Sequence, residues 1–249
     1  MGFLPNYDAP GPERELPRKT GILRLWETLS RDFWDLFRAG FLALLGCVPF
    51  LLGALYSVSS HVLIYAPIAG LLGGAIAGPG LCALADTVLR GLRDEPGFWW
   101  PIYRRAWVRS ARACLLPGAL GGLLLSTQVF FLFHAGALGL STLAGAGLAA
   151  GILLVLAVSL YLWPQLALME LSFGQLVKNS ALLFLGQLPR STAALAIVAG
   201  YLWLMVRFYV FAAPLLPFTS LWLPVLPALF LIYPGINENF QIEKTLGGN

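Results

Sequence analysis

Charge is scarce in this sequence, at 11% of 249 residues, and it gathers in a few places. Soluble domains carry about a quarter charged residues, so a chain this poor in charge is not expected to present a water-facing surface over most of its length. Cysteine is scarcer still. Cys47, Cys82 and Cys114 are odd in number, lie in or beside apolar runs and show no CxxC or Cys/His spacing, so neither a disulfide framework nor a cysteine-based zinc site is expected. Histidine occurs twice, at His61 and His134, and neither stands beside a Cys, Asp or Glu in metal-ligand spacing. The glycine-rich runs GLLGGAIAGPG and GALGGLLL sit inside apolar segments, where small residues let helices approach closely. A phosphate cradle would need a polar strand-to-helix context. No catalytic residues, metal or cofactor are therefore expected.

Apolar sequence is abundant, at 58%, with 27 Gly and 17 Pro, both frequent in membrane helices. Six stretches are long enough to cross a hydrocarbon core that needs about 20 helical residues: 39–58, 62–85, 113–134, 145–169, 193–213 and 215–234. The fold class expected is an all-α polytopic bundle with about six transmembrane helices and additional interfacial amphipathic helices. Of the 16 Lys and Arg residues, all but Arg207 lie outside these stretches. They form four groups: Arg14 to Arg38; Arg90 to Arg112; Lys178 with Arg190; and Lys244. The connections near 57–61, 134–141 and 212–215 contain none, so the positive-inside rule turns these outward and places both termini in the cytoplasm. In a soluble chain a net charge of +4 would suggest nucleic acid, but here the cations lie where anionic lipid headgroups meet them. Lipid is the expected partner, and nucleic acid is not.

Three regions follow from this pattern: a leader, 1–38, an integral membrane domain, 39–235, and a short cytoplasmic tail, 236–249. The leader has no separate h-region and cleavage site, so no cleavable signal peptide is expected. It begins with a proline-rich stretch. Ile22, Leu25, Trp26, Leu29, Phe33, Leu36 and Phe37 then recur at helical spacing, opposite Arg24, Glu27, Arg31 and Asp35. Such a helix lies along the inner membrane surface before turning into the first span, or docks on the cytoplasmic loops. A second interfacial segment, 98–112, puts Trp100, Tyr103, Trp107 and Ala111 on one stripe and Arg105, Arg109 and Arg112 on another, as aromatics at headgroup depth and cations reaching water require.

The chain also partly repeats itself. Pro79 precedes Asp86, and Pro164 precedes Glu170, each pair closing a span that leads into a cytoplasmic helix; this pattern suggests a parallel structural repeat. Ionisable groups inside spans are costly and mark partners or water-filled paths. Asp86 is four residues before Arg90 and is expected to pair with it. Glu170 either snorkels or meets Lys178. Arg207, alone in the fifth span, either reaches outer headgroups beside Tyr209 or lines a polar cavity with Gln128 and His134.

The order of these pieces resembles the YesL-like family, small bacterial integral membrane proteins defined as a domain of unknown function. The residues that carry the resemblance are the opening PNYDAPGP, RKTGILRLWETLSRDFWDLF with Lys19, Phe33 and Trp34, then Pro49, Gly78 and Pro79. They continue with RDEPGFWWPIYRRAW, LSFGQLVKN with Lys178 and Asn179, and Tyr233, Pro234 and Ile236. Ala106 stands where many members have Asn. The resemblance implies a helical membrane fold and association with carbohydrate-uptake ABC transporter systems. Glu170, Leu188 and Pro189 are also similar to the first and last positions of the coupling-helix motif of ABC importer permeases, with Leu176 at its glycine position. The functional expectation is a non-enzymatic accessory or assembly component of a solute uptake system. The alternatives are a transporter or channel in its own right, or a lipid-interacting protein.

Overall fold

A computed structural model describes residues 21–95 and 97–240. The proline-rich start of the leader, Lys19 and Lys244 lie outside them. Among the described residues every regular element is an α-helix: α1 (Ile22–Ser60), α2 (Tyr65–Arg93), α3 (Trp99–Phe133), α4 (Thr142–Leu168), α5 (Phe173–Gly186), α6 (Leu188–Arg207), α7 (Tyr209–Thr219) and α8 (Trp222–Phe240). Five of these, α1 to α4 and α6, are long and apolar enough to cross a membrane. The pair Ala213–Thr219 and Trp222–Phe240, bent by 48°, adds a sixth if it counts as one span. The protein is a multi-pass helical membrane protein.

Two expected boundaries do not exist. The leader helix does not turn before the first span: α1 continues unbroken through Arg38 and Ala39 for 39 residues. At 1.5 Å per residue that is about 58 Å, nearly twice a hydrocarbon core of about 30 Å. No Pro stands at the change from charged to apolar sequence, and the helix runs on through Gly40, whose missing Cβ leaves room for Trp222. The basic segment is likewise continuous with the third span in α3, 35 residues long. This separates the two halves of the suggested repeat, because the corresponding α5 is a distinct helix that ends at Gly186. Its start is fixed by a capping box in which the Gln175 side chain accepts from the Ser172 backbone N–H at 3.0 Å. The fifth and sixth spans also differ from expectation. The chain breaks at Phe208 and again at Ser220 and Leu221, and much of the expected connection, 212–215, is helical in α7. The expected start of the tail at 236 lies inside α8.

Glycine sets the spacing of the first three helices. A Cβ on Gly74 would lie 2.2 Å from the Gly118 carbonyl oxygen, and one on Gly122 would lie 2.2 Å from that of Gly70. Gly78 faces Cys114 in the same series. Four-residue spacing on both helices thus brings two backbones into direct contact, as small-residue motifs do in membranes. Ser126 extends the seam by donating to the Ala66 carbonyl at 2.6 Å. On the other side of α2, Gly73 meets Phe50, and Gly80 meets Ala43. The second half of α2 is the centre of the core. Leu84, Val88, Leu89 and Leu92 are buried there together with Leu36, Tyr161, Leu176, Ile232 and Ile236 from α1, α4, α5 and α8.

Candidate functional site at the basic end

The α2 terminus ends in exposed carbonyls and a negative dipole end, which require donors. Asp94 closes the helix in the left-handed conformation, φ 63°. Two arginines of α1 supply the donors. Arg31 Nη2 donates to the Gly91 carbonyl at 2.8 Å, and Arg24 donates to that of Leu92. Both also reach the Asp94 carboxylate, Arg24 at 3.1 Å. Arg31 holds Asp32 as well, at 2.6 Å. That hydrogen bond outweighs the opposing effect of burial and, with Asp94, raises the Arg31 pKa above its already high ordinary value. A second set lies alongside. Arg90 bridges Asp86 at 3.0 Å and Glu95 at 2.9 Å, and Arg93 contacts Glu95 at 2.5 Å.

This cluster divides the expected apolar face of α1: Leu25, Leu29 and Leu36 pack into the core beside Arg24 and Thr28, and the rest of the row does not. The face with Arg24 and Arg31 is turned into the protein, where Thr28 is 1% exposed and Leu36 is fully buried. Arg31 pairs with Asp32 and Asp94. Ile22 and Trp26 of that row face outward, 78% and 69% exposed, and are joined by Trp34 at 65%. Phe33 stands at the edge of this row, its ring edge-on to Trp222 at 5.7 Å. Arg38 lies 5.7 Å over Trp99, which connects the row to the start of α3.

The remaining candidates divide between protein and surface. Trp100 and Trp107 are exposed as expected, together with Arg105 and Arg112. Tyr103, expected at the surface, is instead 4% exposed, stacked on Trp100 and tilted against Trp99. Arg109 is exposed too, and it donates to the Ala167 carbonyl at 2.9 Å, so that it caps the end of α4. Ala106 is buried, a place where a larger amide would need both room and a partner. The expected Asp86–Arg90 pair forms. Glu170 lies exposed between α4 and α5, and no ion pair joins it to Lys178 among the described residues. Leu176 is buried, and Leu188 and Pro189 open α6.

Arg207, Gln128 and His134 have separate neighbours. Arg207 is exposed at the end of α6, 5.6 Å over the Phe208 ring. Gln128 packs against Gly151 of α4. His134 binds His61 across the opposite end of the bundle, His61 Nδ1 to His134 Nε2 at 2.8 Å. Their separation of 73 residues hides this contact from any spacing rule. With Arg207 at the surface, Arg207→Leu and Arg207→Lys are both expected to insert, fold and elute as the parent does in size-exclusion chromatography. Aggregation of the leucine variant would require a buried partner that this position lacks.

Sequence reasoning also missed the polar seam between α4, α5 and α6. The Tyr161 hydroxyl meets Ser191 Oγ at 2.6 Å, and Gln165 Nε2 donates to Ser180 Oγ at 3.0 Å and to the Tyr161 carbonyl at 3.1 Å, all in a buried position. Beneath it, a cavity of about 470 Å³ opens between α5, α6 and α8, lined by Leu183, Gln187, Arg190 and Glu238 among others. Comparison with protein families, curated proteins and solved structures finds no match.

Proposed function

We propose that this protein is a non-enzymatic accessory or assembly component of a bacterial solute uptake system, held in the plasma membrane with its basic end and both termini in the cytoplasm. The observation that carries this reading is the outward aromatic row of Trp26, Phe33 and Trp34 on α1. Its charges are consumed in fixing α2, and its aromatic row is left facing outward on a stretch of helix beyond the length a bilayer covers. Exposed apolar patches of this kind mark interaction surfaces. The close backbone packing of α1, α2 and α3 supports a scaffold in preference to a conduit. The carbohydrate class of the solute rests on the YesL-like resemblance alone, and the orientation rests on the positive-inside rule.

Affinity-tagged protein purified from native membranes is expected to bring transporter components with it, identified by mass spectrometry. Trp26→Ser combined with Trp34→Ser should abolish that recovery while leaving yield and monodispersity unchanged. Recovery of no transporter component with the parent chain would sink the reading. Single cysteines at Ser60 and Ala137 should react with an impermeant maleimide in intact cells, and those at Arg104 and Lys178 only after permeabilisation.

A transporter is the second reading, and the break before α8 favours it. Ser220 is fully buried at φ 38° and ψ −149°, a conformation costly for a residue with a side chain. Its carbonyl accepts from the Tyr201 hydroxyl at 2.8 Å, while its own hydroxyl has no partner. Discontinuous helices with such backbone line substrate sites in secondary transporters. Flux of sugars or ions in reconstituted liposomes, lost on Ser220→Gly, would support this reading over the first.

A further inference from the structure

We propose that His61 and His134 together bind a divalent d-block cation of the zinc class at the end of the bundle opposite the arginine cluster. The chain has two histidines, and the fold places them ring against ring, with centroids 4.9 Å apart and planes at 83°. His134 Nδ1 lies 2.9 Å from the Phe130 carbonyl oxygen. A carbonyl only accepts, so Nδ1 carries the hydrogen and Nε2 presents its lone pair. An imidazole whose second nitrogen is fixed by a backbone carbonyl is the usual state of a metal-ligating histidine. Stacking on Phe130, with centroids 4.3 Å apart, holds the ring in that orientation.

In the metal-free pair His61 Nδ1 donates its hydrogen to His134 Nε2 at 2.8 Å. Binding moves that hydrogen to His61 Nε2, through solvent, and frees the Nδ1 lone pair, so the neutral pair gains a cation without net proton release. Zinc–nitrogen bonds of about 2.0–2.1 Å in tetrahedral geometry place two ligand nitrogens roughly 3.3 Å apart. The pair therefore needs to open by about half an ångström. His134 is buried, but His61 is exposed on the turn after α1 and has room to move. Two coordination positions remain for water or an external ligand. Imidazole pairs suit Zn²⁺, Ni²⁺ and Cu²⁺ over Mg²⁺ and Ca²⁺, which prefer oxygen.

Full-length protein in detergent, stripped with chelator, should bind one Zn²⁺ per chain by isothermal titration calorimetry. His61→Asn and His134→Gln should each weaken binding at least tenfold, since loss of a ligand should cost no less than loss of a ligand's support. Asn tolerates the left-handed backbone at position 61, φ 57°, so that variant retains the turn. With Cu²⁺ as probe, electron paramagnetic resonance should show two nitrogen ligands in the parent and one in each variant. Absence of Zn²⁺ binding by the parent, or unchanged affinity and an unchanged copper spectrum in His61→Asn, would overturn the proposal and leave the pair as a hydrogen bond between two turns. If His134→Gln fails to fold, His61→Asn decides the matter alone.

Discussion

Gly74→Val is expected to separate α2 from α3 and to destabilise the protein by about 3 kcal/mol or more, at the upper end of what overpacking costs. The new Cβ would sit 2.2 Å from the Gly118 carbonyl oxygen and 2.9 Å from the Gly122 Cα. Both are backbone atoms, so no rotamer change relieves the clash and one helix must move as a body. The movement would also break the Ser126 bond to the Ala66 carbonyl farther along the seam. Gly121→Ala provides the control on α3, the other helix of the pair. Nothing lies within 4 Å of its Cβ, so helix propensity alone applies and the variant should be neutral or up to about 1 kcal/mol more stable. Denaturant unfolding in detergent, followed by circular dichroism, measures both. Equal midpoints for Gly74→Val and the parent would refute the close-contact seam.

Asp94→Asn should cost about 3 kcal/mol, the lower end of what breaking a buried ion pair costs. The side chain of Asp94 is 6% exposed, and its carboxylate faces both Arg24 and Arg31. The amide keeps the size of the side chain and the left-handed backbone, so the loss reports charge. Arg31 retains Asp32, which limits the damage. Arg24→Met alone should cost less, because Arg31 still faces Asp94. Adding it to Asp94→Asn should cost little further, a non-additivity that a double-mutant cycle would read directly. Full additivity would mean that the two side chains act independently.

The spans themselves were legible because hydrocarbon imposes a length and excludes charge, and both are properties of sequence. The direction in which α1 faces was not. The period from Ile22 to Phe37 shows that the helix has two faces, but it does not say which of them meets protein. Here Arg24 and Arg31 turn to the carbonyls at the end of α2, which need donors, beside the packed Leu25, Leu29 and Leu36, and Ile22, Trp26 and Phe33 are left outside. The continuity of α1 and α3 was hidden for a related reason: a change in charge density marks entry into lipid, and it is not a helix stop. Asp86 with Arg90 was legible because both ends of that pair lie on one helix turn. Arg109 on the end of α4, His61 on His134 and Tyr161 on Ser191 each join helices whose docking only the folded chain defines. Ser220 carries no signal of its break, since prolines at 217 and 224 mark the region but not the residue.

The unbroken length of α1 has a mechanical meaning. A rod of about 58 Å that swings by 5° about its middle displaces each end by about 2.5 Å, in opposite directions. One end carries the outward tryptophans and the other ends at His61, so a load applied to Trp26 is delivered as leverage on the histidine pair. Gly53 against Ala69 and Gly73 against Phe50 bind the far half of the rod to α2, which sets a fulcrum in that half, away from the arginine cluster. Pro49, which lacks an N–H inside the helix, is the place where such a lever would flex.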